Sequence, residues 1–217
     1  MKIKNLGKNN TIFNHFISEI RDVNIQLDSM RFRRNIERIG EIFAYEISKE
    51  INYTNVNITT PLGVSNESLM LDTPVLATIL RAGIPLHQGL LNYFDKSDSA
   101  FISAYRKHTS DDNFEIKIEY MSSPDLNNKI VILCDPMIAS GSSMVMAMQA
   151  ILSKANPSYI HVVGIIASSE GLKYLKENAP VKNYTIWIGA EDSEMNAKSY
   201  IIPGLGDAGD LAYGEKK

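Results

Sequence analysis

A single cysteine and a single tryptophan stand among the 217 residues, so no internal disulfide can brace the chain. The cysteine ends the apolar run Ile130-Val131-Ile132-Leu133-Cys134, a setting that predicts a buried strand thiol. One unpaired thiol also fits a reducing compartment. No uncharged apolar stretch reaches the ~18 residues that a membrane-crossing helix needs. Met1-Lys2-Ile3-Lys4-Asn5 leads into neither an apolar core nor a small-residue cleavage site, so a secretory signal is not expected. These absences predict a soluble, cytoplasmic protein without a membrane partner. Positive charge is also in short supply: the formal net charge is −3. Nucleic-acid binding, which draws on a clustered basic face, is therefore not expected, and any anionic ligand must be caught locally. Internal repeats, low-complexity tracts and linkers are missing as well, which predicts one domain over 1–217.

What is present is an ordinary globular composition, 44% hydrophobic and 22% charged, enough for a packed core. Thr11 to Ile20 reads as a short amphipathic helix. Asp28-Ser29 can cap a longer one from Met30 to about Ile51, in which Phe32, Ile36, Ile39, Phe43 and Ile47 recur at helical spacing. After Pro74, short apolar runs alternate with helices: strands at Val75–Leu80, Ser99–Tyr105, Ile130–Cys134, Tyr159–Ala167 and Tyr184–Gly189, and helices at Ile84–Tyr93, Ser142–Lys154 and Glu170–Asn178. That alternation predicts an α/β fold, an open, mostly parallel sheet flanked by helices. Phe114, Ile116, Ile118 and Tyr120 alternate with polar residues, as in a strand with one wet face, which suggests a projecting β-arm.

In open sheets of this kind, ligands bind beyond the carboxyl ends of the strands. The most informative loop there is Asp135-Pro136-Met137-Ile138-Ala139-Ser140-Gly141-Ser142-Ser143, which follows a strand and opens a helix. Small residues let backbone N–H groups converge on an anion, and the helix N-terminus adds partial positive charge. Asp135 is placed to accept from sugar hydroxyls or to help hold a metal. Without further context the loop reads equally well as a serine-capped helix start. The Gly-Lys-Ser/Thr ending of a P-loop and the three spaced glycines of a dinucleotide fingerprint are both missing. The four histidines do not fall at metal-ligand spacing, and Trp187, between two isoleucines, reads as core.

The Asp135–Ser143 loop, together with Ile79-Leu80-Arg81-Ala82-Gly83 and Tyr200-Ile201-Ile202-Pro203-Gly204-Leu205-Gly206-Asp207-Ala208-Gly209-Asp210, resembles the type I phosphoribosyltransferases. The Asp-Pro-Met wording resembles the uracil-specific branch, as do Arg31-Phe32-Arg33 and Tyr105-Arg106, so the similarity spans nearly the full chain. The resemblance implies transfer of the phosphoribosyl group of phosphoribosyl pyrophosphate (PRPP) to uracil, giving UMP and pyrophosphate in pyrimidine salvage. It implies Arg81, Arg106 and Asp207 as catalytic residues. All three, with Asp135, Pro136, Met137, Ile138, Ala139, Ser140, Gly141, Ser142 and Ser143, are the implied PRPP contacts. Ile201, Gly206, Asp207 and Ala208 are the implied uracil contacts. Mg²⁺ is expected as a cofactor, bound mainly through PRPP, and the chain is expected to form a homodimer or higher homo-oligomer.

The chemistry of the residues permits these roles. A guanidinium at Arg81 meets phosphate oxygens through paired hydrogen bonds and keeps its charge. A glycine-rich loop reads a base through main-chain donors and acceptors, which predicts rejection of cytosine because its amino group would face a donor. Three departures from the resemblance stand out. Ser142 sits where the family has a second glycine, which would narrow the phosphate pocket if that position needs a positive φ, the segment 190–199 is more acidic than the family's, and Leu211-Ala212-Tyr213-Gly214 matches only in outline. Two other readings compete: an RNA-binding regulator of pyrimidine genes on the same fold, and a catalytically silent homologue.

Overall fold

The computed structural model describes residues 1–110 and 113–216, and side chains outside 104–117. In chain order the elements are β1 (Lys2–Asn5), α1 (Phe13–Arg21), α2 (Ser29–Ser48), β2 (Tyr53–Thr60), β3 (Gly63–Met70), β4 (Val75–Leu80), α3 (Ile84–Tyr93), β5 (Ser99–Ser110), β6 (Asn113–Ser122) and β7 (Ile130–Cys134). There follow β8 (Met137–Ile138), α4 (Ser142–Lys154), β9 (Tyr159–Ser168), α5 (Ser169–Asn178), β10 (Tyr184–Asp192), β11 (Glu194–Met195), β12 (Ile201–Ile202) and α6 (Ala208–Tyr213). Asp28 caps α2 as its sequence position suggests, accepting from the N–H groups of Met30 and Arg31 at 3.0 Å each.

The main sheet has the order β1-β10-β9-β7-β4-β5-β6, with β8 also pairing β9. Every pairing in it is parallel except β5 with β6. Strands buried on both faces need apolar residues at successive positions, and the runs divide their side chains between two cores. Leu76, Ile132, Cys134, Val163, Ile165 and Trp187 face a core closed by α1, α2, α3 and α6. Val75, Ala77, Val131, Leu133, Val162 and Ile186 face a second core closed by α4 and α5. Cys134 is the buried thiol expected, and burial pushes its pKa up to about 12.

From β4 the chain crosses by α3 to β5 on one side, whereas from β7 it crosses by α4 to β9 on the other. The two crossovers lie on opposite faces of the sheet. Neighbouring β4 and β7 therefore flank a switch point, and their carboxyl ends open a crevice between the diverging loops.

Two regions project. From Ala104 onward β5 pairs with β6 alone, so the two strands run past the sheet edge together as the alternation at 114–120 suggested. The other arm is the antiparallel pair β2–β3, which sequence patterning missed. It is exposed along nearly its whole length, with Leu62 at the tip 100% exposed. Also unforeseen is β1, which adds a parallel edge strand beside β10. Among the described residues, no helix is long and apolar enough to cross a membrane.

Candidate active site

The cleft at the switch point is built from the carboxyl-end loops. Asp135, Met137, Ile138, Ala139, Ser140, Gly141, Ser143 and Met144 form one wall. Ser199, Tyr200, Ile201, Gly206, Asp207, Ala208 and Gly209 form the other, and Ala82 closes the β4 side. The segments singled out in the sequence thus meet in one place, although the phosphate loop and the C-terminal loop lie more than fifty positions apart.

The first wall is shaped for an anion. Gly141 precedes α4 with φ +78, and no side chain caps the helix. Ser142 N–H meets Ser140 Oγ at 3.4 Å, and the amides that follow it in the first turn are left to a ligand, where the helix dipole favours negative charge. The back of the loop is pinned: Ser168 Oγ donates to the Ala139 carbonyl at 2.6 Å while accepting from Gly171 N at 2.8 Å. A Cβ on Gly171 would lie 2.2 Å from the Ala139 oxygen, so a glycine is required for α5 to approach this closely.

Ser142 resolves differently from the concern its sequence raised. The positive φ belongs to Gly141, and Ser142 has an ordinary one. Its hydroxyl pairs with Ser140 Oγ at 2.7 Å, and Ser142 is not among the cleft-lining residues. Pro136 likewise stays out of the cleft; it is buried, and its carbonyl accepts from Ile165 N and Ile166 N.

Asp135 follows β7, half-buried at the foot of the cleft. Loss of water pushes its carboxyl up to about 7; the Met137 N–H works against this, and the nearby Asp207 charge adds to it. A carboxyl held near neutrality changes its hydrogen-bonding role within the working pH range. Asp207 caps α6 by accepting from Asp210 N at 3.0 Å, and Lys216 Nζ lies 3.5 Å from its other oxygen.

Arg81 follows β4 at the rim, not in the lining itself. Its Nη2 donates to Asp210 Oδ1 and to the Gly214 carbonyl, each at 3.1 Å. The side chain of Arg106 lies outside the described residues; its backbone is in β5, paired with Ile116. No group of three or more His, Cys, Asp or Glu able to hold a metal occurs among the described residues. Two carboxylates, Asp135 and Asp207, nevertheless face the same cleft, a donor set suited to a hard cation that keeps most of its ligands from elsewhere.

The acidic segment 190–199 has a structural role that sequence reading did not resolve. Glu194–Met195 pairs antiparallel with Ile201–Ile202, and Asn196 Oδ1 accepts from Lys198 N and Tyr200 N, closing the hairpin. Asp192, 8% exposed, accepts both arms of the Arg21 guanidinium at 2.8 and 2.9 Å. It also accepts the Gly204 N–H at 2.9 Å. Burial opposes ionisation of Asp192, but these hydrogen bonds outweigh it and hold the carboxyl below its ordinary range. Arg33, in the Arg-Phe-Arg segment, donates to the Ala212 carbonyl at 2.7 Å and so fastens the end of α6.

Among the described side chains, no histidine lines the cleft. His87 Nε2 lies 3.1 Å from Ser99 Oγ, and burial lowers its pKa. His161 Nδ1 accepts from the indole of the buried Trp187 at 3.1 Å, and burial pushes its pKa down to about 4. His15 is exposed, and the side chain of His108 lies outside the described residues.

The uracil phosphoribosyltransferase family model matches residues 8–215. A protein from Porphyromonas gingivalis named uracil phosphoribosyltransferase is 54% identical over 216 residues, covering 100% of both chains. A solved Aquifex aeolicus protein superposes with a TM-score of 0.86 at 30% identity, covering 98% of each chain. An adenine phosphoribosyltransferase from Trypanosoma brucei shares the fold at 13% identity, with a TM-score of 0.55 over 86% of this chain and 82% of that one. The two loops that face each other across the switch-point cleft both lie within the matched span, and the chain belongs to the uracil phosphoribosyltransferase family.

Proposed function

We propose that the protein transfers the phosphoribosyl group of PRPP to uracil, releasing pyrophosphate and forming UMP. The observation that carries this reading is the pairing, across one cleft, of an uncapped helix N-terminus with a glycine-rich loop that offers main-chain groups. The first suits a terminal phosphate and the second a flat base. The RNA-binding and catalytically silent alternatives are not favoured, because a relative similar over its full length is named for the transferase.

In this reading the 137–143 loop and the first turn of α4 hold the 5′-phosphate, and Asp135 as carboxylate accepts from the ribose hydroxyls. Ile201, Gly206 and Ala208 place uracil with its nitrogen toward the anomeric carbon. The C1–pyrophosphate bond breaks as the C1–nitrogen bond forms and the proton on that nitrogen leaves to the departing pyrophosphate or to water, so positive charge grows on the ribose and negative charge on the leaving group. Arg81 and Arg106 stabilise that negative charge by electrostatic preorganisation. For Arg81 this requires exchanging Asp210 and the Gly214 carbonyl for pyrophosphate oxygens. Asp207 and Asp135 would be the protein carboxylates to help hold the Mg²⁺ that PRPP carries, which would offset charge on the leaving pyrophosphate.

Cytoplasmic residence fits a salvage enzyme that draws on these metabolites. A homodimer or higher homo-oligomer is the expected assembly, supported by apolar side chains at the tip of the β2–β3 arm, where Leu62 is 100% and Val64 71% exposed. The deciding experiment incubates the purified protein with PRPP, Mg²⁺ and a panel of bases. UMP from uracil, with cytosine rejected, supports the proposal; failure of a folded preparation to form UMP overturns it.

A further inference from the structure

Base recognition through main-chain atoms is only as accurate as the placement of the peptide groups. The peptides just before the base-reading residues are gripped from behind by side chains outside the cleft. Gly204 is held at both polar atoms: its N–H donates to Asp192 Oδ2 at 2.9 Å, and its carbonyl accepts from Arg21 Nη1 at 2.9 Å. The same guanidinium binds Asp192 through two nitrogens, a planar fork that fixes direction as well as distance. One residue further on, with its side-chain amide oriented to satisfy both atoms, Gln26 donates to the Leu205 carbonyl at 2.9 Å and to the Ile20 carbonyl at 3.0 Å. Gly206 follows directly.

The anchors themselves are well supported. Asp192 is the last residue of β10, in register with Ser168 at the end of β9. Arg21 is the last residue of α1, whose Phe13 and Ile20 lie in the core. None of Arg21, Gln26 and Asp192 lines the cleft. The grip therefore ties the base-reading loop to the sheet and to the N-terminal helix, while the phosphate loop on the opposite wall is held through different polar groups, the Ser168 hydroxyl and the Gly171 N–H.

We infer that Arg21, Asp192 and Gln26 are positioning residues for the nucleobase, setting the register of the Gly204–Leu205 main chain on which uracil selectivity depends. The inference rests on the transferase reading above. It assigns these residues to one substrate and not the other, which a purely structural role would not do.

The test measures KM for uracil, KM for PRPP, kcat, the uracil-to-cytosine ratio and Tm in wild type, Arg21→Ala, Arg21→Lys, Asp192→Asn and Gln26→Ala. Arg31→Ala serves as the control, because Arg31 pairs with Glu19 on the exposed surface. Small misplacements of a reacting group cost up to ~10²-fold, so KM for uracil is expected to rise roughly tenfold or more in Arg21→Ala, with KM for PRPP within about twofold of wild type. Arg21→Lys recovers part of the loss, since an ammonium reaches either the Gly204 carbonyl or Asp192 but lacks the fork. Gln26→Ala gives the same pattern in weaker form, and it keeps the test valid if the Arg21 and Asp192 variants fold poorly. Both KM values rising together, or no change in any of the three positions while wild type forms UMP, overturns the inference. Wild type forming no UMP overturns the transferase reading instead, and this inference with it.

Discussion

Arg81 and Asp210 lie 3.1 Å apart, so the guanidinium proposed to receive pyrophosphate is engaged by a carboxylate of helix α6. Both side chains are about a third exposed, at 39% and 31%, and exposed pairs of this kind contribute only about 0–1 kcal/mol. Exchanging the carboxylate for pyrophosphate is therefore a small energetic step. Arg81→Ala is expected to lower kcat by roughly 10²–10³, the usual cost of losing one preorganised charge-stabilising group, with Tm almost unchanged. Steady-state kinetics beside a thermal melt check this; near-normal turnover removes Arg81 from the mechanism.

Asp135 gives a pH signature. Its folded pKa of about 7 lies above the ordinary 3.8, so its favourable contribution to stability is complete below 3.8 and is lost as pH rises through about 7. Asp135→Asn should consequently be more stable than wild type at pH 8. Function moves the opposite way, because only the carboxylate accepts from two ribose hydroxyls. The wild-type kcat/KM for PRPP should climb through about pH 7, and the Asn variant should lose that limb. A limb that persists in the variant assigns it to another group.

The serine at position 142 should be replaceable. It has an ordinary φ, its hydroxyl faces Ser140, and it lies outside the cleft lining. Ser142→Gly is expected to change KM for PRPP by less than about threefold, the factor that loss of one weak neutral hydrogen bond of about 0.5 kcal/mol would set. A tenfold change would mean that the hydroxyl does reach the phosphate.

Gly141 should not be replaceable. A Cβ there would meet the Gly171 carbonyl oxygen at 2.7 Å, and its φ of +78 is strained for any L side chain. Gly141→Ala is expected to cost at least about 1–2 kcal/mol from the left-handed conformation and to raise KM for PRPP, measurable by urea titration and initial rates. An unaffected KM would detach the loop from the 5′-phosphate.

Sequence legibility followed hydrophobic contrast. Val75–Leu80, Ile84–Tyr93, Ile130–Cys134 and Ser142–Lys154 have the ends read from the sequence, because each apolar run is buried and bounded by turn residues. The β2–β3 arm left no such trace: Tyr53–Met70 is wet on both faces, so neither face imposes a period on its residues. β1 is four residues long and carries two lysines, and the sheet edge, not its own composition, makes it a strand. In the site, eleven of the residues implied by the resemblance line the cleft, because small-residue turns after apolar strands are visible locally. Arg21 and Asp192, 171 positions apart, are joined only by the fold, and no local pattern in either segment marks them as partners.

Consider finally the seam where helix α5 lies against the Ala139 carbonyl with no room for a side chain, and Ser168 locks the contact. A loop so backed has little freedom left to surrender when a ligand arrives. Its amides are aimed in advance, and the ordering cost that usually erodes affinity for a mobile anion loop has been met during folding. On the transferase reading, holding the sugar phosphate then requires no closing movement on this side of the crevice.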